Sequence, residues 1–225
     1  MNEPSKRHIV VISGATALAD RVVAAIPETG FVVAADGGLD RALAAGIEPD
    51  VLIGDLDSVS DDALAWAREH ALVVAHSADK DLTDTELALS FAADRVPDRI
   101  TLVGGGDRLD HSIAAIGALG APMLAGVARL DGWWDGQHLE VLHAPRRRVQ
   151  RVQVESILSL LALHGRCAGV SITGARWTLD RADLEAGVGH GISNLALVDA
   201  IGVAVEAGVL TLFDDPLPEE GIHQG

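Results

Sequence analysis

The chain has 225 residues and a mass of 23.4 kDa, which suits one large domain or two small ones with a buried core. Its apolar fraction of 48% and charged fraction of 22% exclude a disordered chain. The 33 acidic against 17 basic residues give a formal charge of -16, and aromatic residues make up only 3%. Both features argue against a nucleic-acid partner.

The cysteine content and the apolar runs bear on location. The single cysteine, Cys167, excludes an internal disulfide framework and a cysteine zinc cluster, and it fits a reducing compartment. The first apolar run is too short for a signal peptide. No stretch reaches the ~18 apolar residues of a membrane helix. We therefore expect a soluble cytoplasmic protein with no membrane partner.

The first ~130 residues show short apolar runs that alternate with segments of helical spacing. The runs that predict strands are His8–Ile12, Phe31–Ala35, Val51–Gly54, Leu72–His76 and Ile100–Val103. The segments that predict helices are Leu39–Ala45, Asp61–His70 and Thr85–Arg95. Strands that are apolar at every position are usually buried on both faces, and alternation with helices predicts a mostly parallel sheet. Such sheets bind ligands at the carboxyl ends of their strands.

The pattern changes after about Leu130, and from Leu139 the helical periodicity fades. Short strands separated by turn residues are predicted at Val149–Val154, Ile157–Leu161, Gly169–Ile172, Ile192–Leu197 and Gly202–Leu212. Regularly spaced short strands indicate a small sandwich or barrel. The sequence therefore predicts an α/β domain over residues 1–138 and a smaller all-β, sandwich-like domain over residues 139–225.

Acidic residues concentrate where predicted strands end. They are Asp36, Asp55, Asp57, Asp79, Asp81, Asp84 and, after the glycine loop 104–106, Asp110. In a parallel sheet these strand ends lie at one edge, so the carboxylates converge and repel one another. A hard divalent cation removes that conflict, and oxygen-only ligands suit Mg²⁺. The pattern predicts a metal-assisted phosphoryl-type transfer.

Structural roles compete with this interpretation. The spacing of Asp55 and Asp57 supports the metal site, because residues two apart can point to the same side of an extended chain. However, Asp and Ser at strand ends are often turn formers or helix caps. Ser58 and Ser60 precede a predicted helix, and Thr83 with Glu86 has the spacing of a capping box. For a single Asp either role stays open; for the whole set, a purely structural role is less probable.

The glycine loop 104–106 follows a strand and precedes a helical pattern, so its N–H groups can approach a phosphate, although a plain tight turn fits equally well. Lys80 and Arg108 are cations among carboxylates, which favours phosphate binding but also allows ordinary ion pairing. His111 begins a helical segment, where a capping or core role competes with a functional one.

A set of motifs in order matches a known family. They are ADGG (35–38), PDVLIGDLDS (49–58), DKDLTDTE (79–86), GGGDRLDH (104–111), GARWTL (174–179) and GISN (191–194). This set resembles the thiamin pyrophosphokinase (thiamine diphosphokinase) family over nearly the whole chain. The resemblance implies an α/β catalytic domain, a β-sandwich vitamin-binding domain and a homodimer with active sites at the subunit interface.

The resemblance also implies the transferase reaction, in which thiamin and ATP give thiamin diphosphate and AMP with Mg²⁺. It assigns metal and phosphate roles to Asp55, Asp57, Asp79, Asp81 and Asp84, with Asp55, Asp57, Asp81 and Asp84 as metal ligands. It assigns nucleotide binding to Asp36, Gly37, Lys80, Arg108 and Asp110, and thiamin binding to Trp177, Ser193 and Asn194.

The chemistry of the proposed thiamin contacts agrees with this assignment. A Trp face attracts a flat cation, although without the resemblance a place in a sandwich core is the more typical role for Trp177. Ser193 and Asn194 can hydrogen-bond an aminopyrimidine edge, or they can form a hairpin turn. Ala115 stands where many members carry Asn, which predicts one missing or replaced polar contact near the nucleotide. The SGAT (13–16) and WWDG (133–136) segments match no assigned pattern.

Three other functions are compatible with parts of the pattern. A related pyrophosphokinase acting on a pterin alcohol would share the catalytic half, but the segment around Trp177 favours thiamin. A non-catalytic thiamin or nucleotide sensor would not need the paired carboxylates. A structural α/β interaction protein would leave the acidic strand ends unexplained.

Overall fold

The computed structural model describes residues 8–14, 16–27, 30–106 and 108–217. The chain divides into two compact units, Met1–Val141 and Leu142–Gly225. In the described part of the chain, no helix is long and apolar enough to cross a membrane.

The first unit is built on a parallel sheet. Its parallel strands lie in the order β6-β5-β1-β2-β3-β4, and β7 pairs antiparallel with β6. The strands are β1 (His8–Ile12), β2 (Phe31–Ala35), β3 (Val51–Gly54), β4 (Leu72–Ala75), β5 (Arg99–Gly104), β6 (Arg129–Trp134) and β7 (Gln137–His143). The central strands β1, β2 and β3 are almost wholly buried, which explains their continuous apolar sequences.

Helices connect the parallel strands and pack against them. They are α1 (Asp20–Ala25), α2 (Gly38–Ala44), α3 (Asp61–His70), α4 (Asp84–Ala93) and α5 (Leu109–Ala118), with a short 3₁₀ turn at Pro122–Leu124. One core cluster joins Val10 and Val103 of the sheet to Val22 of α1. A second joins Leu52 to Ala67 of α3. Burial of these apolar side chains holds the helices on the sheet.

Of the predicted helix caps, those at Ser60 and Thr83 are confirmed, whereas Ser58 caps no helix and its Oγ donates to Asp57 Oδ1 instead. Glu86 Oε2 accepts a hydrogen bond from Thr83 N at 2.8 Å, and Thr83 Oγ1 accepts one from Glu86 N at 3.2 Å, which completes a capping box at the start of α4. Ser60 caps α3 by accepting from Ala63 N at 3.2 Å. These contacts fix where each helix begins after its strand-end loop.

The second unit contains two antiparallel groups of strands. One has the order β11-β10-β13-β8, and in the other β9 lies between β12 and β14. The strands are β8 (Arg146–Arg151), β9 (Ile157–Leu161), β10 (Cys167–Thr173), β11 (Leu179–Leu184), β12 (Gly191–Leu195), β13 (Ala200–Val205) and β14 (Val209–Asp214). Apolar residues from both groups form one core cluster, including Leu160, Ile172, Val203 and Leu212. The predicted fold class, a mostly parallel α/β unit and a sandwich-like all-β unit, is confirmed.

Some element predictions are wrong in detail. The segment 202–212 is two strands rather than one, because the chain turns between β13 and β14. Gly208 in this turn has φ +94°, and a Cβ there would lie 2.5 Å from Arg166 O. The strand β11 was not predicted because it is an edge strand in which half of the residues are charged.

Candidate active site

The carboxyl edge of the parallel sheet borders a cleft of about 620 Å³. Loops that follow β1 to β5 supply most of its lining, as expected for a sheet of this topology. The lining includes these predicted residues: Asp36, Gly37, Asp55, Asp57, Lys80, Asp81, Asp84, Arg108 and His111. Residues separated by more than 70 positions in sequence therefore share one cavity, as the strand-end pattern predicts.

Three carboxylates form the centre of this cleft. One oxygen from each of Asp36, Asp55 and Asp84 lies within 4.8 Å of the other two. Gly54 permits this approach, because a Cβ there would lie 3.1 Å from both Asp36 Cβ and Asp84 Oδ1. Asp36 was predicted on the nucleotide side, and the structure brings it into the acidic group. Oxygen donors at these separations can hold a divalent cation.

Burial and like charges act on Asp36. Its Oδ1 atom is buried and has no hydrogen-bond partner within the described part of the chain. Burial raises the pKa of Asp36, and the nearby charges of Asp84 and Asp57 raise it further, against hydrogen bonds from Ser58 and Gly37. A buried acceptor without a donor is costly, so this oxygen is suited to a cation.

Lys80 forms ion pairs with the other two carboxylates of the group. Its Nζ atom lies 2.8 Å from Asp55 Oδ2 and 3.0 Å from Asp84 Oδ1. The hydrogen bond from Lys80 lowers the pKa of Asp55. Burial opposes ionisation of Lys80, but its hydrogen bonds to both carboxylates outweigh burial and raise its pKa. Lys80 therefore forms the ion pairs with carboxylates that the sequence allowed as an alternative to phosphate binding, and it does so inside the cleft.

Asp55 and Asp57 reach the cleft in a different way from the one expected. Leu56 between them has φ +69°, so the chain is not extended there and the period-two argument does not apply. Asp57 N donates to Asp55 Oδ1 at 3.4 Å, and Asp57 Oδ1 accepts from Ser58 Oγ at 2.9 Å. A left-handed turn, rather than strand alternation, places both carboxylates at the cleft.

Two predicted residues lie outside the cleft lining that the structure describes. Asp79 is exposed, and its backbone N donates to Ser77 Oγ at 3.2 Å. Asp110 is exposed and accepts from Arg108 Nη2 at 2.7 Å, and this hydrogen bond lowers the pKa of Asp110. Arg108 itself lines the cleft. Asp79 and Asp110 therefore have surface contacts rather than a place in the acidic group.

The glycine loop 104–106 packs closely against the loop after β1. A Cβ at Gly14 would lie 2.0 Å from Gly105 O, so the two backbones lie close together and Gly14 does not tolerate a side chain. Gly105 and Gly106 both line the cleft. Close backbone approach at this edge leaves room for a ligand with phosphate oxygens.

Several lining residues were not found from the sequence. Trp134 ends β6 with its Nε1 atom buried and without a hydrogen-bond partner among the residues described. Ser13 Oγ and Thr85 Oγ1 lie 2.6 Å apart. Arg41 reaches the cleft from α2. Ala115, which was expected near the nucleotide, lines the cleft from α5. Like the carboxylates, Trp134 lies at the carboxyl end of a parallel strand. If β6 had been predicted, Trp134 would have been expected in the cleft.

The predicted thiamin-binding residues lie together in the second unit. Trp177 is 57% exposed, so it is not a core residue, and the Arg176 guanidinium lies 5.2 Å from the centroid of its ring. Ser193 and Asn194 belong to β12 rather than to a hairpin turn. Ser193 is exposed and has φ +60°, within an irregular stretch of the β12–β9 register.

Asn194 contacts Trp177 directly. Asn194 is buried, and its Oδ1 accepts from Trp177 N at 3.0 Å and from Leu195 N at 2.9 Å. Its Nδ2 donates to Trp177 O at 2.6 Å. The side chain of Asn194 therefore holds the backbone of Trp177 in place, and the irregular backbone at Ser193 turns it inwards.

Two family models match the chain. The model described as "Thiamin pyrophosphokinase, catalytic domain" matches residues 23–125, and the one described as "Thiamin pyrophosphokinase, vitamin B1 binding domain" matches residues 146–210. The chain belongs to the thiamin pyrophosphokinase family. The matched ranges contain the acidic cleft and the segment with Trp177, so the predicted family is confirmed for both units. Neither the pterin pyrophosphokinase nor the sensor alternative is supported.

Individual relatives agree with this membership. The thiamine pyrophosphokinase of Bacillus subtilis is 25% identical over 166 residues, which are 72% of this chain and 76% of that protein. The crystal structure of the Bacillus subtilis enzyme matches with a TM-score of 0.79 and 23% identity, over 95% of this chain and 100% of the other. Thiamin pyrophosphokinase from Candida albicans matches with a TM-score of 0.73 and 14% identity, over 96% and 95% of the two chains. At these identities the structural matches establish a shared fold.

Proposed function

We propose that the protein transfers the pyrophosphoryl group of ATP to the hydroxyl group of thiamin, giving thiamin diphosphate and AMP. The observation that carries this proposal is the convergence of Asp36, Asp55 and Asp84 in a cleft of a chain that belongs to the thiamin pyrophosphokinase family. The reaction transfers a highly charged group, and such transfers depend on cations held beside the phosphates.

The acidic group fits Mg²⁺. Its donors are all carboxylate oxygens, and the buried Oδ1 atom of Asp36 lacks a partner within the described residues. We propose that Asp55, Asp57, Asp81 and Asp84 hold the metal as predicted, together with Asp36. When bound, Mg²⁺ supplies positive charge that offsets the charge developing on the phosphate oxygens.

The residues of the chain then orient the phosphates and move one proton. A bond forms between the thiamin hydroxyl oxygen and the β-phosphorus of ATP, and the bond from that phosphorus to the oxygen bridging to the α-phosphorus breaks. The electron pair leaves with AMP. We propose that one of the cleft carboxylates accepts the hydroxyl proton, and that Lys80, Arg108 and the Gly37 backbone contact the phosphates. Asp110 would act indirectly, by holding the Arg108 side chain.

For the vitamin, we propose that the exposed face of Trp177 stacks on the thiamin cation. The hydroxyl group of Ser193 is exposed and available to a polar edge of the ligand. Asn194 contributes by fixing the Trp177 backbone through its hydrogen bonds. The vitamin B1 model that matches residues 146–210 supports this assignment.

A direct assay tests the proposed reaction. The purified protein is incubated with thiamin, ATP and Mg²⁺, and both AMP and thiamin diphosphate are measured. We expect the two products in equal amounts, and none when α,β-methylene-ATP replaces ATP, because the bond that breaks is then blocked. A protein that forms neither product, or that acts only on a pterin alcohol, would contradict the proposal.

We also propose a cytoplasmic homodimer in which two subunits share each active site, as the family resemblance implies. The free cysteine Cys167 is buried, which is consistent with a reducing compartment. A complementation assay tests the sharing. Asp57→Asn and Trp177→Ala proteins are mixed under conditions of subunit exchange, which is verified by mass spectrometry. Random pairing should restore up to about a quarter of wild-type activity, whereas no gain would show that each site is built within one chain.

A further inference from the structure

Among the described residues, three cationic side chains line the cleft: Arg41, Lys80 and Arg108. Lys80 is paired with Asp55 and Asp84, and Arg108 with Asp110. Arg41 differs from both, because its Nε atom is buried without a hydrogen-bond partner in the described part of the chain. No described carboxylate forms an ion pair with its guanidinium.

The backbone fixes the position of Arg41. It lies in α2, and a Cβ at Gly38 at the start of this helix would lie 2.2 Å from Ile12 O. Leu39 and Ala42 of the same helix are fully buried. The first turn of α2 is therefore pressed against the carboxyl end of β1. Since residues three apart lie on the same side of a helix, Arg41 lies on the side of α2 that faces the end of β1, and there it lines the cleft.

An unpaired guanidinium in an acidic cleft is unusual, because Arg normally forms a two-pronged pair with a nearby carboxylate. Its planar set of donors matches two oxygens of one phosphate equally well. A buried donor left without an acceptor is unfavourable, so the site is complete only when an acceptor is bound. The anion that the proposed function brings to this cleft is the phosphate chain of ATP.

We infer that Arg41 binds two non-bridging phosphate oxygens of ATP through its guanidinium group. Of the three cations, it is the one that the described carboxylates leave available for the substrate. Lys80 and Arg108 share the charge that they offer to the phosphates with paired carboxylates, whereas Arg41 offers its charge to the nucleotide alone. This inference rests on the proposed function, since it takes ATP as the ligand.

The test is calorimetric titration of the full-length protein with α,β-methylene-ATP at saturating Mg²⁺. Arg41→Gln should weaken binding of this nucleotide by about 10- to 100-fold, as expected for the loss of charge-assisted hydrogen bonds. Thiamin affinity should not change. The matched control is Arg68→Gln, because Arg68 is exposed on α3 and outside the cleft lining. This control changes the net charge equally and should bind the nucleotide as the wild type does.

A second measurement separates phosphate contact from a general effect of charge. If Arg41 only offset the negative cleft, Arg41→Gln would bind Mg²⁺ more tightly and would lose nothing in nucleotide affinity at saturating Mg²⁺. Retained affinity of this kind would overturn the inference. An equal loss in Arg68→Gln would overturn it too.

Arg41→Lys covers the case in which Arg41→Gln does not fold. It keeps the charge but loses the planar pair of donors, so nucleotide affinity should fall by about 3- to 10-fold. A folded Arg41→Lys protein with wild-type affinity would refute two-pronged binding. The proposed function is judged separately, from product formation by the wild type. An active wild type whose Arg41→Gln variant binds the nucleotide normally would contradict the inference alone.

Discussion

Replacing Gly54 by Ala should damage the proposed metal site although it substitutes none of the carboxylates. The added Cβ would lie 3.1 Å from Asp36 Cβ and 3.1 Å from Asp84 Oδ1. Ordinary contacts of this kind exceed about 3.4 Å, so Asp36 and Asp84 must move apart by a few tenths of an ångström. Gly54 also has φ +155°, a backbone conformation that side chains disfavour.

The expected effect on the metal is large because Mg²⁺ demands near-ideal geometry at about 2.0–2.1 Å. Displacement of groups that orient metal ligands typically costs about 10- to 100-fold in metal affinity. We expect a rise of this size in the Mg²⁺ concentration needed for half-maximal turnover by Gly54→Ala. Overpacking and backbone strain should also lower the free energy of unfolding, by about 2–3 kcal/mol.

The matched control is Gly46→Ala. Gly46 has φ +75°, but a Cβ there has nothing within 4 Å, so this variant carries backbone strain without a clash. It should lower the free energy of unfolding by about 1–2 kcal/mol and leave the Mg²⁺ requirement unchanged. Turnover as a function of Mg²⁺ concentration, with urea unfolding of each variant, separates the two effects. If folded Gly54→Ala needs no more Mg²⁺ than Gly46→Ala, the steric argument for the acidic group is refuted.

Three further predictions test the two sites and the core. Asp55→Asn and Asp57→Asn should fold but lose turnover, because an amide is a poorer Mg²⁺ ligand; near wild-type turnover at low Mg²⁺ would count against the assignment. Trp177→Ala should weaken thiamin binding by ~1–3 kcal/mol, and Asn194→Ala in that background should add little, as calorimetry of the single and double variants can show. Asp131→Asn should lower the free energy of unfolding by about 3–5 kcal/mol at neutral pH. This difference should shrink as the pH falls below the ordinary carboxyl pKa, because the unfolded wild type then binds a proton at Asp131 that the folded wild type, whose Asp131 pKa is lowered, does not bind; urea unfolding across pH checks it.

The acidic cleft was predictable from sequence because the parallel sheet has simple rules. Continuous apolar runs mark buried strands, and the carboxyl ends of parallel strands share one edge. These rules bring Asp36, Asp55 and Asp84 together without any knowledge of distances. The same rules wrongly place Asp79 in the cleft, because it also follows a strand in the sequence, but Asp79 is exposed and lies outside the cleft lining. Strand-end position therefore identifies the edge of the sheet, while local turns decide which side chains face the cavity.

The residues that were missed depend on contacts distant in sequence. Arg41 lies on a helix, and its place at the cleft follows from the tight packing of Gly38 on Ile12. Trp134 was missed because the strand β6 was not recognised: Asp131 in its centre is atypical of a buried strand. Only the three-dimensional structure shows that Arg99, Arg129 and His138 surround the buried carboxylate of Asp131.

The two kinds of carboxylate in this sheet differ in how completely the chain itself satisfies them. Asp131 is fully buried, but His138, Arg99 and Arg129 surround it, and despite burial they hold its pKa well below the usual range. Asp36, by contrast, has a buried oxygen without a partner in the described structure, and its pKa is raised. A carboxylate whose charge is already matched is a structural element, because no ligand can improve its environment. A carboxylate whose charge is left unmatched in a cavity, beside others of the same sign, is stabilised in its ionised form by a bound cation. The lowered pKa of Asp131 thus reflects a carboxylate paired within the core, and the raised pKa of Asp36 reflects one left available to a cation at the functional edge, where Lys80 lowers the pKa of the neighbouring Asp55.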